Sequence, residues 1–130
     1  MIQVAAAIII KNGKCLIARR APGQNLAGYW EFPGGKLEAG ETPQDCLRRE
    51  LMEELKITVS IRQFIAESRF VYPSGSIHLL AYQAVWESGE LLLSVHDRWG
   101  WVSAKDMQDY AFPPADVPIL EELLQGGWLR

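Results

Sequence analysis

Glu50, Glu53 and Glu54 stand in the run Arg49-Glu50-Leu51-Met52-Glu53-Glu54. Positions 0, 3 and 4 of an α-helix share one face, so this spacing predicts three converging carboxylates. Like charges so placed destabilise a bare helix by a few tenths of a kcal/mol per pair. A hard divalent cation reverses that sign, because carboxylate oxygens are the ligands that Mg²⁺ and Mn²⁺ take. A solvated acidic face is the alternative for an isolated cluster. Here the cluster follows the pair Gly34-Gly35, then Gly40 and a capped helix start, and that context favours a metal.

Read whole, Gly35-x5-Glu41-x7-Arg49-Glu50-Leu51-x-Glu53-Glu54-x-Lys56-Ile57 resembles the Nudix box, here residues 35–57. That box is the signature of hydrolases acting on a nucleoside diphosphate linked to another group. Lys56 is the one departure: the family has a glycine there that ends the helix in a left-handed conformation. How the helix ends in this chain is therefore open. The resemblance implies an α+β chain with a mixed β-sheet sandwiched between α-helices, a single domain over residues 1–130. It implies a Mg²⁺-dependent enzyme in which Mn²⁺ can substitute. The ligand set would be Glu50, Glu53, Glu54 and the backbone carbonyl of Gly34. Glu53 and Glu50 would be catalytic, supported by Arg49 and Glu41. Arg49 points about 100° around the helix from Glu50 and suits bracing a carboxylate or the loop. Glu41, just before the helix, suits holding the glycine loop.

Beyond the box, nearly the full chain is similar to MutT-like nucleoside triphosphate pyrophosphohydrolases and their cytidine-nucleotide relatives. Arg19-Arg20-Ala21, Trp30-Glu31-Phe32-Pro33-Gly34-Gly35-Lys36 and Phe112-Pro113-Pro114-Ala115-Asp116-Val117-Pro118 carry the likeness. By position Arg20, Asn25, Glu31, Phe32, Pro33, Gly34 and Asp116 fall in the nucleotide pocket. MutT-like enzymes place a base-reading asparagine at Asp116, and the cytidine type an aspartate. An ionised aspartate only accepts hydrogen bonds; with its pKa raised by burial it also donates. Asp116 equally suits an N-cap ahead of Pro118. Tyr29, Trp30 or Phe32 could pack on a base. The family's usual general base, a loop glutamate, is replaced by Val95, which leaves His96, Asp97 or a helix glutamate. Hydrolysis of a (deoxy)nucleoside triphosphate, modified or oxidised, to monophosphate and pyrophosphate is the implied reaction. A nucleotide sensor without catalysis, or an enzyme for ADP-ribose or dinucleoside polyphosphates, is the alternative.

The elements that must position these residues are legible. Val4–Ile10 and Cys15–Ala18 read as strands joined by Asn12-Gly13, a strong hairpin signal. Tyr29–Phe32 reads as a short strand. Thr42 reads as an N-cap with Pro43 at the first helical position and Asp45 in the first turn. Leu47, Leu51 and Leu55 then form a core stripe on a helix running to about residue 55. Residues 57–65, 67–72 and 77–86 read as strands, and 91–93 and 99–102 as shorter ones. Ser103–Met107 reads as one helical turn and residues 116 or 117 to 125 as a terminal amphipathic helix. With 130 residues the chain suits one domain burying about two-thirds of its unfolded surface. A net charge of −3 argues against binding nucleic-acid duplexes. No apolar run is long enough to span a bilayer. The start lacks a signal peptide's features, and Cys15 and Cys46 lack metal-ligand spacing, so reduced thiols and a cytoplasmic location are expected. Either a monomer or a homodimer is compatible with the sequence.

Overall fold

A computed structural model describes residues 1–129. Seven strands form one mixed sheet: β1 (Ile2–Lys11), β2 (Lys14–Arg20), β3 (Trp30–Glu31), β4 (Gly34–Lys36), β5 (Thr58–Tyr72), β6 (Gly75–Ser88) and β7 (His96–Val102). Its backbone order is β3-β2-β1-β6-β5, with β4 also pairing β1 and β7 pairing β2. The β1–β6 pair is parallel, and the other pairs are antiparallel. Helices α1 (Pro43–Leu55), α2 (Ala104–Met107) and α3 (Val117–Gln125) complete the chain, with a 3₁₀ turn at Pro114–Asp116.

Strand β1 shows why the sheet is a middle layer. Its side chains alternate between faces, and both faces are apolar. Ala6 and Ile8 pack with Ile17, Met107, Ile119 and Leu123 on the α3 side. Ala5, Ala7 and Ile9 pack with Leu16, Leu47, Leu51 and Leu55 on the α1 side. The leucine stripe read from the sequence is thus fully buried. The β1–β2 turn has Asn12 at φ 53° and Gly13 at φ 78°, the doubly positive pair that a type I′ hairpin requires.

Helix α1 starts as its sequence dictates. Thr42 Oγ1 accepts from the Asp45 backbone N–H at 3.1 Å, and Pro43 occupies the first turn. At its other end Lys56 itself takes the left-handed conformation, φ 61° and ψ 29°, and its N–H returns to the carbonyls of Leu51 and Met52. The lysine reproduces the glycine ending, and its Nζ donates to the Glu53 carbonyl at 2.9 Å.

Three sequence expectations are corrected. Residues 57–65 and 67–72 are one strand, β5, whose register shifts near Phe64 absorb the break without a turn. Leu91–Leu93 forms no strand. Its segment instead satisfies carbonyls at the end of α1, Leu92 N–H donating to Leu55 O at 3.0 Å and Ser94 Oγ to Glu54 O at 2.9 Å. Asp116 makes no side-chain cap to α3, because it lies in the 3₁₀ turn with helical backbone angles rather than the extended ones of an N-cap. Among the described residues no helix is long and apolar enough to cross a membrane.

The left-handed Lys56 yields a stability prediction. Lys56→Gly removes a Cβ penalty of about 1 kcal/mol, so it raises the unfolding free energy by that amount or less and barely changes turnover. Equilibrium denaturation beside steady-state kinetics checks both halves.

Candidate active site

One cavity of about 370 Å³ opens where β1, β4 and α1 meet. Glu50 and Glu54 from α1 line it, beside Gly34, Gly35 and Lys36 of β4. Arg20, Asn25, Leu26, Glu31, Phe32 and Asp116 line the same cavity. Val4, Ala5, Ala6 and Leu79 also contribute to its wall.

The glycine pair is required by close approach. A Cβ at Gly34 would collide with the Ala5 carbonyl oxygen, so glycine lets β4 pair tightly with β1. A Cβ at Gly35 would fall 2.7 Å from both carboxylate oxygens of Glu50. Glu50 therefore rests directly against backbone, and α1 is fixed relative to β4.

Arg49 organises the acidic helix face. Its Nε and Nη2 form a fork on Glu41, at 2.8 and 2.9 Å. Nη1 reaches Glu50 at 2.9 Å and Glu53 at 3.3 Å, and Nη2 the Lys36 carbonyl at 3.2 Å. The bracing expected of Arg49 is present, but the side chain folds back onto Glu50 instead of pointing away. A flexible guanidinium with five donors reaches over the helix step. Glu41 also accepts from the Glu38 N–H at 2.9 Å. The Arg49 contact, helped by that N–H, holds Glu41 down at about 2.

The expected convergence of three carboxylates is not found. Among the described residues, no three acidic, histidine or cysteine side chains stand together closely enough to hold an ion. Arg49 draws Glu53 to the outside, where it is 60% exposed, while Glu54 faces the cavity. Burial raises the Glu54 carboxyl to about 8, aided by the charges of Glu50 and Glu31 and a hydrogen bond with Glu50. These residues fit a hard divalent cation by donor chemistry. Glu54 carries the excess negative potential that such an ion relieves.

Burial first and the Glu31 charge second raise Asp116 to about 8. Phe32 is the aromatic that lines the cavity, stacked on Phe112 at 5.1 Å. Trp30 packs edge-on against Tyr110, and Tyr29 is exposed. Pro33 is buried outside the cavity wall; its carbonyl accepts from the Ala7 N–H at 2.7 Å. Arg20 holds the Asn25 carbonyl at 3.2 Å and Glu31 at 3.4 Å.

The candidate loop bases are both occupied. Asp97 forms a bidentate pair with Arg19 at 2.8 and 2.7 Å. His96 is buried, with Nε2 2.8 Å from Glu31 Oε2. Sequence reading missed this His96–Glu31 pair, since the two residues lie 65 positions apart. No local pattern signals it: of residues 96–102 only His96 and Val102 are buried, and the strand does not alternate cleanly between them. The cavity-lining roles of Leu26 and Leu79 had no signal either.

A family model described as NUDIX domain matches residues 1–123. The chain is 38% identical over 124 residues to the CTP pyrophosphohydrolase of Escherichia coli strain K12, covering 95% of this chain and 92% of that one. It is 36% identical to an 8-oxo-dGTP diphosphatase of Haemophilus influenzae, covering 95% and 92%. Among solved structures, the E. coli ORF135 protein superposes with a TM-score of 0.83 at 37% identity, over 95% of this chain and 89% of that one. The MutT protein from Methanosarcina mazei Go1, at 24% identity, shares the fold with a TM-score of 0.84 over 94% and 91%. A match across nearly the whole chain, joined to the glycine pair and the acidic helix in their shared cavity, makes this protein a member of the Nudix hydrolase family.

Proposed function

We propose that the protein hydrolyses nucleoside triphosphates to a monophosphate and pyrophosphate, with Mg²⁺ held by Glu50, Glu53, Glu54 and the Gly34 carbonyl. The observation that carries this reading is one cavity lined both by the box carboxylates Glu50 and Glu54 and by Arg20, Asn25, Phe32 and Asp116. Its volume suits a small-molecule ligand. A phosphate chain belongs at the glycine end and a base at the Phe32–Asp116 end. When bound, the cation neutralises phosphate charge and makes water a better nucleophile at an inner phosphorus, with the β-phosphorus favoured. Arg49 has to release Glu53 for the three carboxylates to meet, and its fork on Glu41 keeps it in place meanwhile. With His96 and Asp97 engaged and Glu54 holding its own proton to about 8, Glu53 is the helix glutamate that accepts the proton of the attacking water. Phe32 offers a ring face, and Asp116 reads the base edge as acceptor when ionised and as donor when protonated. Similarity to the CTP and 8-oxo-dGTP enzymes supports cytosine nucleotides and oxidised guanine nucleotides as first substrates to test.

The direct test is pyrophosphate release from the eight standard triphosphates, 8-oxo-dGTP, 5-methyl-dCTP and 2-hydroxy-dATP, each with Mg²⁺. Release is expected, and Glu53→Gln or Glu54→Gln lowers kcat by about 10²-fold or more with the fold intact. Binding without release from any nucleotide identifies a sensor instead. Asp116→Ala raises KM for the best substrate about tenfold, with kcat changing less, through loss of a hydrogen bond to the base. Asp116→Asn moves preference towards 8-oxo-guanine nucleotides. An unchanged substrate ranking in both variants means the base is read elsewhere.

The raised carboxyls set a pH dependence. Glu54 and Asp116 keep their protons to about 8 in the fold, above their unfolded values. Between those limits the folded state binds more protons. Stability in a chelator is therefore full at acidic pH and declines as pH rises towards about 8. Mg²⁺ favours ionised Glu54 and so flattens the decline. Asp116→Asn flattens it independently of metal. Thermal unfolding against pH, with and without Mg²⁺, checks each part.

A further inference from the structure

Glu31 is held from behind the cavity wall. His96 opens β7 and is 4% exposed, with Nε2 2.8 Å from Glu31 Oε2. Arg20 Nη1 makes a longer contact, 3.4 Å, to the same oxygen. Glu31 Oε1 takes no hydrogen bond from the described residues, although Glu31 lines the cavity. His96 Nδ1 is buried with no partner. The sheet builds this arrangement: Ala18 pairs with Glu31 across β2–β3, and Arg20 with His96 across β2–β7, beyond a register shift at Arg19/Arg20. Strand pairing thus brings His96 against Glu31, which lines the cavity.

Protonation follows from the partners. An ionised glutamate only accepts, so Nε2 must carry the proton that it donates. An imidazolium would bury an unpaired Nδ1–H, whereas the neutral Nε2–H form leaves only a lone pair unmatched. A glutamate side chain has several rotatable bonds, and fixing one oxygen removes that freedom before a ligand arrives.

We propose that His96 is a positioning residue acting through Glu31: it occupies Oε2 and leaves Oε1 as one fixed acceptor for an amino group on the substrate's base. This deepens the nucleotide reading given above and rests on it. His96 touches no substrate in this scheme. Its removal leaves Glu31 free to turn, which weakens base binding and spares the chemical step.

Kinetics of His96→Phe and His96→Gln test this. Phenylalanine keeps a ring and removes the donor; glutamine returns an N–H near the place of Nε2. For the best triphosphate, His96→Phe raises KM about tenfold with kcat changed less than about threefold, and His96→Gln recovers most of the loss. In a Glu31→Gln background, His96→Phe changes KM by less than about twofold, because both act along one path. An equal KM loss in both backgrounds, or none in either, overturns the proposal and makes His96 a packing residue. Should His96→Phe fail to fold, ¹⁵N NMR of the wild-type imidazole decides: a proton on Nε2 alone supports the proposal, and one on Nδ1 overturns it. A wild type that turns over no nucleotide overturns the reading of the whole site. An active wild type with an indifferent His96→Phe overturns this proposal alone.

Discussion

Negative charge is concentrated around one end of the cavity, and the structure turns on how Arg49 manages it. Glu41, Glu50 and Glu53 all contact one guanidinium. Without that cation, like charges on successive helix turns would oppose the helix that carries them. Its fork on Glu41 also ties the start of α1 to its middle, and its bond to the Lys36 carbonyl ties α1 to β4. In the metal site proposed above, the charge that stabilises the fold would be the one that competes with a cation for Glu50 and Glu53. Glu54 lies outside that arrangement and keeps its proton instead.

The same helix is bound to the sheet by its opposite face. Leu47, Leu51 and Leu55 anchor it against β1, and glycine at position 35 lets Glu50 sit on bare backbone. Glu31 contributes its charge to the shift of both raised carboxyls, Glu54 and Asp116. The two are thus coupled by charge through a residue that belongs to neither the box nor the loop around Asp116.

Much of this was legible from local patterns. The Thr42–Pro43 helix start, the Asn12-Gly13 turn and the leucine stripe each encode geometry within a few residues. Lys56 shows a limit: its type disfavours a left-handed backbone, yet the hydrogen bonds at the helix end impose one. Leu91–Leu93 has a strand-like composition, but its partners are helix carbonyls that no sequence window contains. For the acidic cluster, helical spacing brought Glu50, Glu53 and Glu54 to one face but could not show Arg49 dividing them. His96 and Asp97 looked like accessible loop groups because their partners, Glu31 and Arg19, arrive from distant strands.

The connection from Gly89 to His96 looks like an ordinary surface loop, but it is pinned along its length. Gly89 passes so close to the Lys56 carbonyl that a Cβ would sit 2.6 Å from it. Leu92 and Ser94 hold the end of α1, and His96 two residues later holds Glu31. His96 is buried and the next residue, Asp97, is exposed, so losing one residue between Ser94 and His96 would set the Asp97 carboxylate in the place of the imidazole. A second acid would then lie beside Glu31. Among descendants of this chain, length variation should be purged from 94–96, whatever the residue types there.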